Sequence, residues 1–357
     1  MTNHSRALVD LCECFRGRFP KHVDWMSLLA LANQTLTTPM LMEFVSRFER
    51  QIPEDVRLYV REIYQRTCAR NDRLATQLSE TVSAINAQGV TPILLKGAAV
   101  LATTPRSRWG SRLMADLDIM VAENELGAAL NGLHAIGYNV HYQTPSGAGK
   151  WYADLARPCD VGMVDLHQCA PGPDFYYRVA GPTVQHCKLT PIGRGFAYVP
   201  STTYQALMLI VHDQFQDHDY WIGNIDLRHL LDLRDLTNSQ DGIDWNQLAS
   251  FAPSKLARNA LESQLVTMFA MLGGDVPIRM RTRVIPRLQY MRRRAQARFP
   301  LLRWALLPMA ALDYRNHRNG PGAEARREAA GRQWSLPKKN TLRFLLTLSA
   351  NHRLGKV

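Results

Sequence analysis

Short apolar runs of the kind that form buried strands are confined to the middle of this 357-residue chain, and this confinement limits the fold most. They occur between about residues 89 and 200, whereas the segments on either side show the spacing of amphipathic helices. The sequence therefore predicts an α+β protein. We expect an N-terminal helical region (1–88), a small mixed-sheet α/β core (89–200) and a helical C-terminal region (201–357).

The predicted core alternates strands with helices. Before it, Leu74, Leu78, Val82 and Ile85 fall on one helix face, and Gly89 suits the end of that helix. We expect strands in the segments VTPILLKG, ADLDIMV, GYNVHYQ and VGMVDLHQ, and a hairpin in KLTPIGRGFAYVPS.

Two aspartates interrupt an apolar strand in the segment ADLDIMV. Successive strand residues point to opposite faces, so Asp116 and Asp118 project side by side while Leu117 and Ile119 point the other way. Such a pair is costly to ionise unless a cation lies between the carboxylates. Asp165, on a separate predicted strand, supplies a third carboxylate if the two strands are neighbours.

Three converging carboxylates are typical of metal-dependent phosphoryl or nucleotidyl transfer. Carboxylate oxygens suit Mg²⁺, or Mn²⁺, and a metal pair lowers the pKa of an attacking hydroxyl and neutralises leaving pyrophosphate. We therefore predict that Asp116, Asp118 and Asp165 are both metal ligands and catalytic residues, with Asp118 as the candidate bridging ligand. A solvated pair of acids at an exposed strand end is the alternative.

A polar loop precedes the acidic strand and carries Arg106, Arg108 and Arg112. We expect these arginines to be free to face an anion, with Arg112 the best candidate for a phosphate contact. A merely solvated loop is the alternative. Further along, Arg228 and Asp232 are four residues apart on a helix and are expected to form a surface ion pair.

The segment HDQFQDHD, from His212 to Asp219, suggests a rival function. Its histidines and aspartates are of the types that bind metal in phosphohydrolases, although their spacing is loose. As a lone residue, His212 is more typical of a hydrogen-bonded histidine in a helical core.

The net charge of +12 is concentrated in one segment. From Pro277 to Val357 there are 19 Lys and Arg against three acids, a net of +16, and the remaining 24 basic and 28 acidic residues give −4. Because cationic runs alternate there with Leu, Trp and Phe, residues 277–357 are expected to contact RNA or an anionic membrane surface. A solvated helical domain with outward arginines is the alternative.

The six cysteines lack the paired C-x-x-C spacing of zinc or redox sites, and no run reaches the length of a membrane span. The N-terminus also lacks the apolar core of a signal peptide. These features predict a cytoplasmic protein.

The segments LLKGAAVL, RLMADLDIMV and VDLH together resemble the uncharacterised nucleotidyltransferase family of the polymerase-β-like superfamily, over about Asn71 to Leu236. The positions that match the family's motifs are Lys96 and Gly97 at its Lys-Gly, Arg112 before the first acid, Asp116 and Asp118 at its D-x-D, Asp165 and His167 at its acid-Leu-His, His212 at its histidine, and Asp232 at its helical aspartate.

The resemblance implies a small mixed sheet flanked by helices, with metals on the D-x-D and the triphosphate at the turn after the first strand. It also implies transfer of AMP or another nucleotide to a hydroxyl, with ATP the nucleotide expected first. Better-studied members of the superfamily have Gly-Ser or Gly-Gly in that turn, where this chain has Lys96, Gly97 and Ala98. Lys96 and Arg112 are expected to contact the triphosphate, since lysine binds phosphate as a point charge.

Two functions of different classes follow. The first is an Mg²⁺-dependent nucleotidyltransferase acting on a hydroxyl acceptor, with Lys96, Gly97, Arg112 and His212 around the nucleotide. The second is a catalytically inactive protein of the same fold that binds RNA, a membrane or a protein through its basic C-terminal region.

Overall fold

The computed structural model describes residues 3–144, 151–170, 177, 179, 183–319 and 356–357. Four helices precede the sheet: α1 (Asn3–Phe15), α2 (Trp25–Gln34), α3 (Met42–Arg47) and α4 (Glu54–Asn86). Two more lie within the core region: α5 (Lys96–Thr103) and α6 (Leu126–Ala135). The helices that follow the sheet are α7 (Thr202–Val211), α8 (Asp219–Ile222), α9 (Leu227–Thr237), α10 (Trp245–Ser250), α11 (Lys255–Leu272), α12 (Val284–Arg298) and α13 (Pro300–Asn319).

Shorter helical turns connect these elements. A π-helical turn, His212–Gln216, continues α7. The 3₁₀ turns are Thr38–Leu41, Glu49–Gln51, Arg106–Ser111, Glu123–Glu125, Thr183–His186 and Ile278–Met280.

The strands of the described residues form one seven-stranded mixed sheet in the order β3-β4-β5-β2-β1-β7-β6. Their bounds are β1 (Ile93–Leu94), β2 (Leu117–Met120), β3 (Asn139–Gln143), β4 (Tyr152–Ala156), β5 (Val164–His167), β6 (Cys187–Ile192) and β7 (Gly195–Pro200). The β2–β5 and β1–β7 pairs are parallel, and the other neighbours are antiparallel. The predicted α+β class, a small mixed sheet flanked by helices, is confirmed.

One strand was not predicted. β4 pairs with both β3 and β5 and so lies inside the sheet. Its sequence, YADLA, carries two alanines and an aspartate, which are residues depleted in strands. This segment is a strand because β3 and β5 pair with it on both sides, although its own sequence does not favour a strand.

The two faces of the sheet differ in chemistry because strand side chains alternate. Leu117 and Ile119 of β2 are fully buried, as are Val164 and Leu166 of β5, in a core shared with α4. The predicted apolar face of α4 lies in this core, and the chain turns after it at Gly89, whose φ is +77°. The alternate residues of the same strands lie on the opposite face, and they are Asp118 and Met120 of β2 and Asp165 and His167 of β5.

A second apolar core joins the two ends of the chain. Residues of α1, α2 and α3 pack in one cluster with residues of α7, α9 and α11. The Arg16 guanidinium donates to the Ala270 carbonyl at 2.6 Å, and Arg234 donates to the Phe15 carbonyl at 2.7 Å. The helices α1–α3 and the first turns of α4 are thus packed in one core with the C-terminal helices, whereas the later part of α4 supports the sheet.

The contact between α6 and α4 yields a test of packing. A Cβ at Gly132 would lie 2.6 Å from the Ala84 carbonyl oxygen, while a Cβ at Gly127, in the same helix, would meet nothing within 4 Å. We expect Gly132→Ala to lower the free energy of unfolding by about 2 kcal/mol through overpacking. Gly127→Ala should raise it by up to about 1 kcal/mol, because alanine favours helix over glycine. Urea denaturation measures both, and equal effects of the two changes would contradict this packing.

Candidate active site

The parallel pairing of β2 with β5 brings two of the predicted acids together. Asp118 lies directly opposite Asp165 in the register of the two strands, on the face away from α4. The predicted site requires the strands of Asp118 and Asp165 to be neighbours, and β2 and β5 are neighbours. Asp116 is the residue immediately before β2.

Asp118 is the most enclosed acid of the group, with only 2% of its side chain exposed. The Lys96 ammonium donates to its Oδ1 at 2.6 Å, and His167 Nε2 lies 3.0 Å from the same oxygen. Burial alone would raise the pKa of Asp118, but Lys96 and His167 hold it well below its usual range. Asp118 is therefore ionised at neutral pH.

The turn after β1 points the lysine at this carboxylate. Lys96 is the first residue of α5 and has a φ of +42°, in the left-handed region that side chains other than glycine rarely adopt. Such a conformation costs on the order of 1–3 kcal/mol and persists where its surroundings impose it. Here the ion pair with Asp118 is the compensating contact.

Asp165 lies among like charges. Burial, followed by repulsion from Asp118, Asp116 and Asp154, raises its pKa to about 8. Burial and the Asp118 charge also raise the pKa of Asp116. Both acids consequently hold their protons to a higher pH than an isolated aspartate does.

Sequence reasoning missed Asp154. It lies opposite Asp165 on β4, so Asp154, Asp165 and Asp118 form one row across three adjacent strands. Its Oδ1 atom is buried without a hydrogen-bond partner among the described residues. The signal in the sequence was the aspartate between Ala153 and Leu155, and it was overlooked because the strand itself was not predicted.

These residues fit a divalent cation. Asp118, Asp165 and His167 each offer a ligand atom, and these atoms lie within 4.8 Å of one another. A cation there would relieve the repulsion that raises the pKa of Asp165, to which Asp154 on the next strand contributes. Asp116 is not part of this closest group, although its charge reaches Asp165.

Arg112 is held rather than free. Its Nε and Nη2 atoms donate to both oxygens of Asp232 at 2.8–3.0 Å, and both side chains are largely buried. The predicted surface pair of Arg228 with Asp232 is therefore wrong, since Asp232 is a buried partner of Arg112. The remaining nitrogen, Nη1, lies beside the turn, 3.3 Å from where a Cβ at Gly97 would stand.

The expectation that all three loop arginines are free is also wrong. Arg106 donates to Asp72 at 2.9 Å, and Arg108 lies 3.7 Å from Asp235. Both of these pairs are exposed. The loop forms a 3₁₀ turn whose arginines pair with aspartates of neighbouring helices. These partners are distant in the sequence, so local sequence does not reveal them.

A cavity of about 1550 Å³ lies beside the turn. Lys96 and Arg112 line it together with Trp109, Met114 and Asp232, whereas Asp116, Asp118 and Asp165 do not. Lys96 thus reaches both the acidic group and this space. The three predicted acids therefore lie outside the lining of a cavity that has Lys96 and Arg112 at its edge.

His212 belongs to a different cluster. Its Nδ1 lies 3.5 Å from Asp213 and 3.8 Å from Asp217, in the π-helical turn after α7. The structure does not bring His212 into the group around Asp118. His212 therefore lies in a cluster separate from the predicted acids, and its nucleotide-binding role stays a prediction.

The cluster around His212 already contains a cation from the chain itself. The Lys356 ammonium lies 2.6 Å from Asp217 and 2.5 Å from Asp219. His229 Nδ1 lies 2.6 Å from Asp213, which also accepts from Gln264. The residues of the rival phosphohydrolase hypothesis are thus engaged in internal ion pairs and hydrogen bonds.

A family model described as uncharacterised nucleotidyltransferase matches residues 21–273. This range includes the sheet, the turn with Lys96, the acidic row and Asp232. No curated protein and no solved structure matches the chain.

The raised pKa of Asp165 has a consequence for stability. Because its folded pKa is about 8 and an unfolded aspartate titrates near ~4, the folded state binds more protons in between. In the presence of a chelator, we therefore expect the free energy of unfolding to fall as the pH rises from about 4 towards 8.

Asp165→Asn should make this decline shallower and raise the stability at pH 8. Urea denaturation at several pH values measures both. Glu54→Gln, which changes an exposed acid at the start of α4, serves as the control and should keep the wild-type slope. Identical slopes for wild type and Asp165→Asn would contradict the electrostatics described.

Proposed function

Since the chain belongs to the uncharacterised nucleotidyltransferase family, we propose that it transfers a nucleotide from a nucleoside triphosphate to a hydroxyl acceptor, with Mg²⁺ as cofactor. The observation that carries this proposal is the in-register pair Asp118 and Asp165 beside the turn that holds Lys96. ATP is the first donor to test.

The acids would hold the metal, with Asp118 and Asp165 as central ligands and Asp116 at the edge. Mg²⁺ favours such oxygen ligands, and carboxylates suit Mn²⁺ as well. When bound, a divalent cation supplies charge that stabilises the transferring phosphoryl group and lowers the pKa of the attacking hydroxyl.

Asp165 is the candidate proton acceptor. It lies beside Asp118 in the strand register, where an ionised carboxylate next to a bound cation would accept the proton of an attacking hydroxyl. Asp118, with its low pKa, stays ionised and serves as a ligand instead. Two acids on neighbouring strands would thus have different roles because their surroundings differ.

Lys96 and Gly97 would receive the triphosphate. The Lys96 side chain is 26% exposed and lines the cavity, so its ammonium can serve phosphate oxygens as well as Asp118. Gly97 lets the backbone of the turn lie close to Arg112, where a side chain would crowd Nη1. Arg112, oriented by Asp232, adds positive charge at the edge of the same cavity.

Titration of ATP by calorimetry, with and without Mg²⁺, tests the proposal. We expect wild-type affinity to depend on Mg²⁺ and to fall at least tenfold, about 1.4 kcal/mol, in Asp165→Asn. Asp165→Asn should fold at least as stably as wild type, so a loss of affinity cannot be attributed to unfolding. Glu54→Gln should bind like wild type.

Mg²⁺-independent binding of equal strength in all three proteins would refute the metal-dependent reaction. Because the family shares the fold rather than the acceptor, formation of a labelled product from ATP must be measured separately against candidate acceptors.

A second function is favoured by the surface of α12 and α13. Among the described residues, no helix is both long and apolar enough to cross a membrane. Large apolar side chains are nevertheless exposed on this helix pair, beside arginines. The apolar ones are Val284, Leu288, Met291, Phe299, Leu301, Trp304, Met309 and Leu312, and the exposed arginines include Arg287, Arg294 and Arg298.

We propose that this apolar and basic surface binds an anionic membrane. Arginine contacts alone would suit RNA phosphates, but exposed leucine, methionine and phenylalanine gain more by entering lipid. Leu301 is 82% exposed, which is costly for a side chain of its size in water. Residues 320–355 of the predicted basic segment lie outside the described residues.

Leu301→Glu should weaken binding to vesicles of phosphatidylserine and phosphatidylcholine at least tenfold, because the mutation removes about 1.5–3 kcal/mol of apolar burial. Met26→Glu is the matched control, since Met26 is 78% exposed on α2. Co-sedimentation measures the affinity, with phosphatidylcholine vesicles alone as the uncharged comparison. Binding of single-stranded RNA without any vesicle binding would replace the membrane by a nucleic acid.

A further inference from the structure

Three rings line the face of the sheet that carries the acids. The Tyr142 and Tyr152 ring centroids are 5.7 Å apart, and Tyr152 stacks on His167 at 5.5 Å with an interplanar angle of 21°. We refer to Tyr142, Tyr152 and His167 as the aromatic row. It extends from the edge strand β3 through β4 to β5, where His167 contacts Asp118.

The aromatic row continues the line of acids. Tyr142 lies opposite Asp154, which lies opposite Asp165, which lies opposite Asp118. Tyr152 and His167 lie on the same face, two residues along their strands. Burial, together with the neighbouring Asp154 carboxylate, raises the pKa of the Tyr152 hydroxyl, so this ring is neutral.

The sheet order separates the aromatic row from the turn. The turn with Lys96 follows β1, the acids lie on β2, β5 and β4, and the row ends on β3. Asp118, Asp165 and Asp154 therefore lie between the turn and Tyr142, whereas Tyr152 and His167 lie on the same strands as Asp154 and Asp165. A ring stacked on Tyr142 thus approaches the acids from the side opposite to the turn.

The nucleoside triphosphate and the acceptor would therefore approach the acids from different sides. This inference rests on the proposed function. In nucleotidyl transfer the attacking and leaving oxygens lie roughly in line with the phosphorus atom. The acceptor hydroxyl forms a bond to the α-phosphorus and its proton passes to Asp165, the bond from phosphorus to the bridging oxygen breaks, and pyrophosphate leaves with that electron pair. If pyrophosphate leaves on the side of Lys96, the hydroxyl arrives from the side of the aromatic row.

We propose that the acceptor is a nucleoside hydroxyl whose base stacks on the aromatic row. Strands are spaced by about 4.8 Å, so Tyr142 lies roughly 10 Å across the sheet from Asp165. A base with its ribose spans this interval, whereas a single sugar ring covers only part of it. Tyr142 is 49% exposed, which leaves ring surface available for a base. Aromatic side chains bind bases of any sequence through stacking.

The nucleoside could belong to a small molecule or to the end of a nucleic acid strand. Adenosine and the hexanucleotide r(A)₆ with a free 3′ hydroxyl are therefore the probes, and methyl glucoside is the non-aromatic comparison. Affinities are measured by calorimetry on the full chain in Mg²⁺, beside the affinity for ATP in the same samples.

Tyr142→Ala should weaken adenosine or r(A)₆ binding about tenfold through loss of stacking. Tyr142→Phe should restore wild-type affinity, because it keeps the ring. Phe196→Ala is the matched control, since Phe196 is 53% exposed on β7 of the same sheet. Affinity for ATP should be unchanged in Tyr142→Ala. Weaker binding of both probes supports a strand end or a nucleoside alike, and a loss seen for r(A)₆ alone identifies the strand end.

Several outcomes overturn the proposal. The first is that wild-type protein binds neither probe, and the second is that wild type and Tyr142→Ala bind the probes with equal affinity. The third is that binding of methyl glucoside depends on Tyr142 to the same extent. The fourth is a parallel loss of ATP affinity in Tyr142→Ala, which would place the donor base on the aromatic row. Failure here leaves the proposed function standing if ATP binding still requires Mg²⁺ and Asp165.

Discussion

The ionised carboxylate of Asp118, buried in an otherwise apolar sheet, is the constraint around which the site is built. A buried charge is tolerated only where partners replace the water it has lost. Lys96 and His167 are those partners, and both contact the same oxygen. The unusual backbone of Lys96 and the start of α5 at that residue follow from the need to bring an ammonium to this position.

The same constraint explains why the two faces of one sheet behave so differently. Leu117, Ile119 and their neighbours on β5 form a dry contact with α4, and this contact fixes the strands in register. Fixed strands hold Asp165 beside Asp118 despite their repulsion. The stability of the apolar core thus offsets the repulsion between the acids on the other face.

Much of this arrangement was readable from local sequence, because strand and helix periodicities are local properties. The direction of Asp118 relative to Leu117, the apolar face of α4 and the hairpin β6–β7 were all predicted and are present. The omission of β4 had a specific cause. Tyr152–Ala156 has little strand preference of its own and is a strand because β3 and β5 pair with it, and its loss from the prediction hid Asp154.

Partners distant in sequence could not be predicted. Arg112 and Asp232 are 120 residues apart, and only the packing of α9 near the turn makes them a buried pair. The expectation of free loop arginines failed for this reason. The pair also has a structural meaning, since it connects the C-terminal helices to the residues beside Gly97, and so couples the helical half of the molecule to the turn.

The insertion of Lys356 between Asp217 and Asp219 bears on how the protein is made. The lysine follows Asp219 by 137 residues. During synthesis, these buried acids leave the ribosome on the order of ten seconds before the ammonium that neutralises them. The ion pairs of Lys356 with these acids therefore cannot form while the chain is still growing through that interval. Their formation is a late event in biosynthesis, well after the sheet and its acids have emerged.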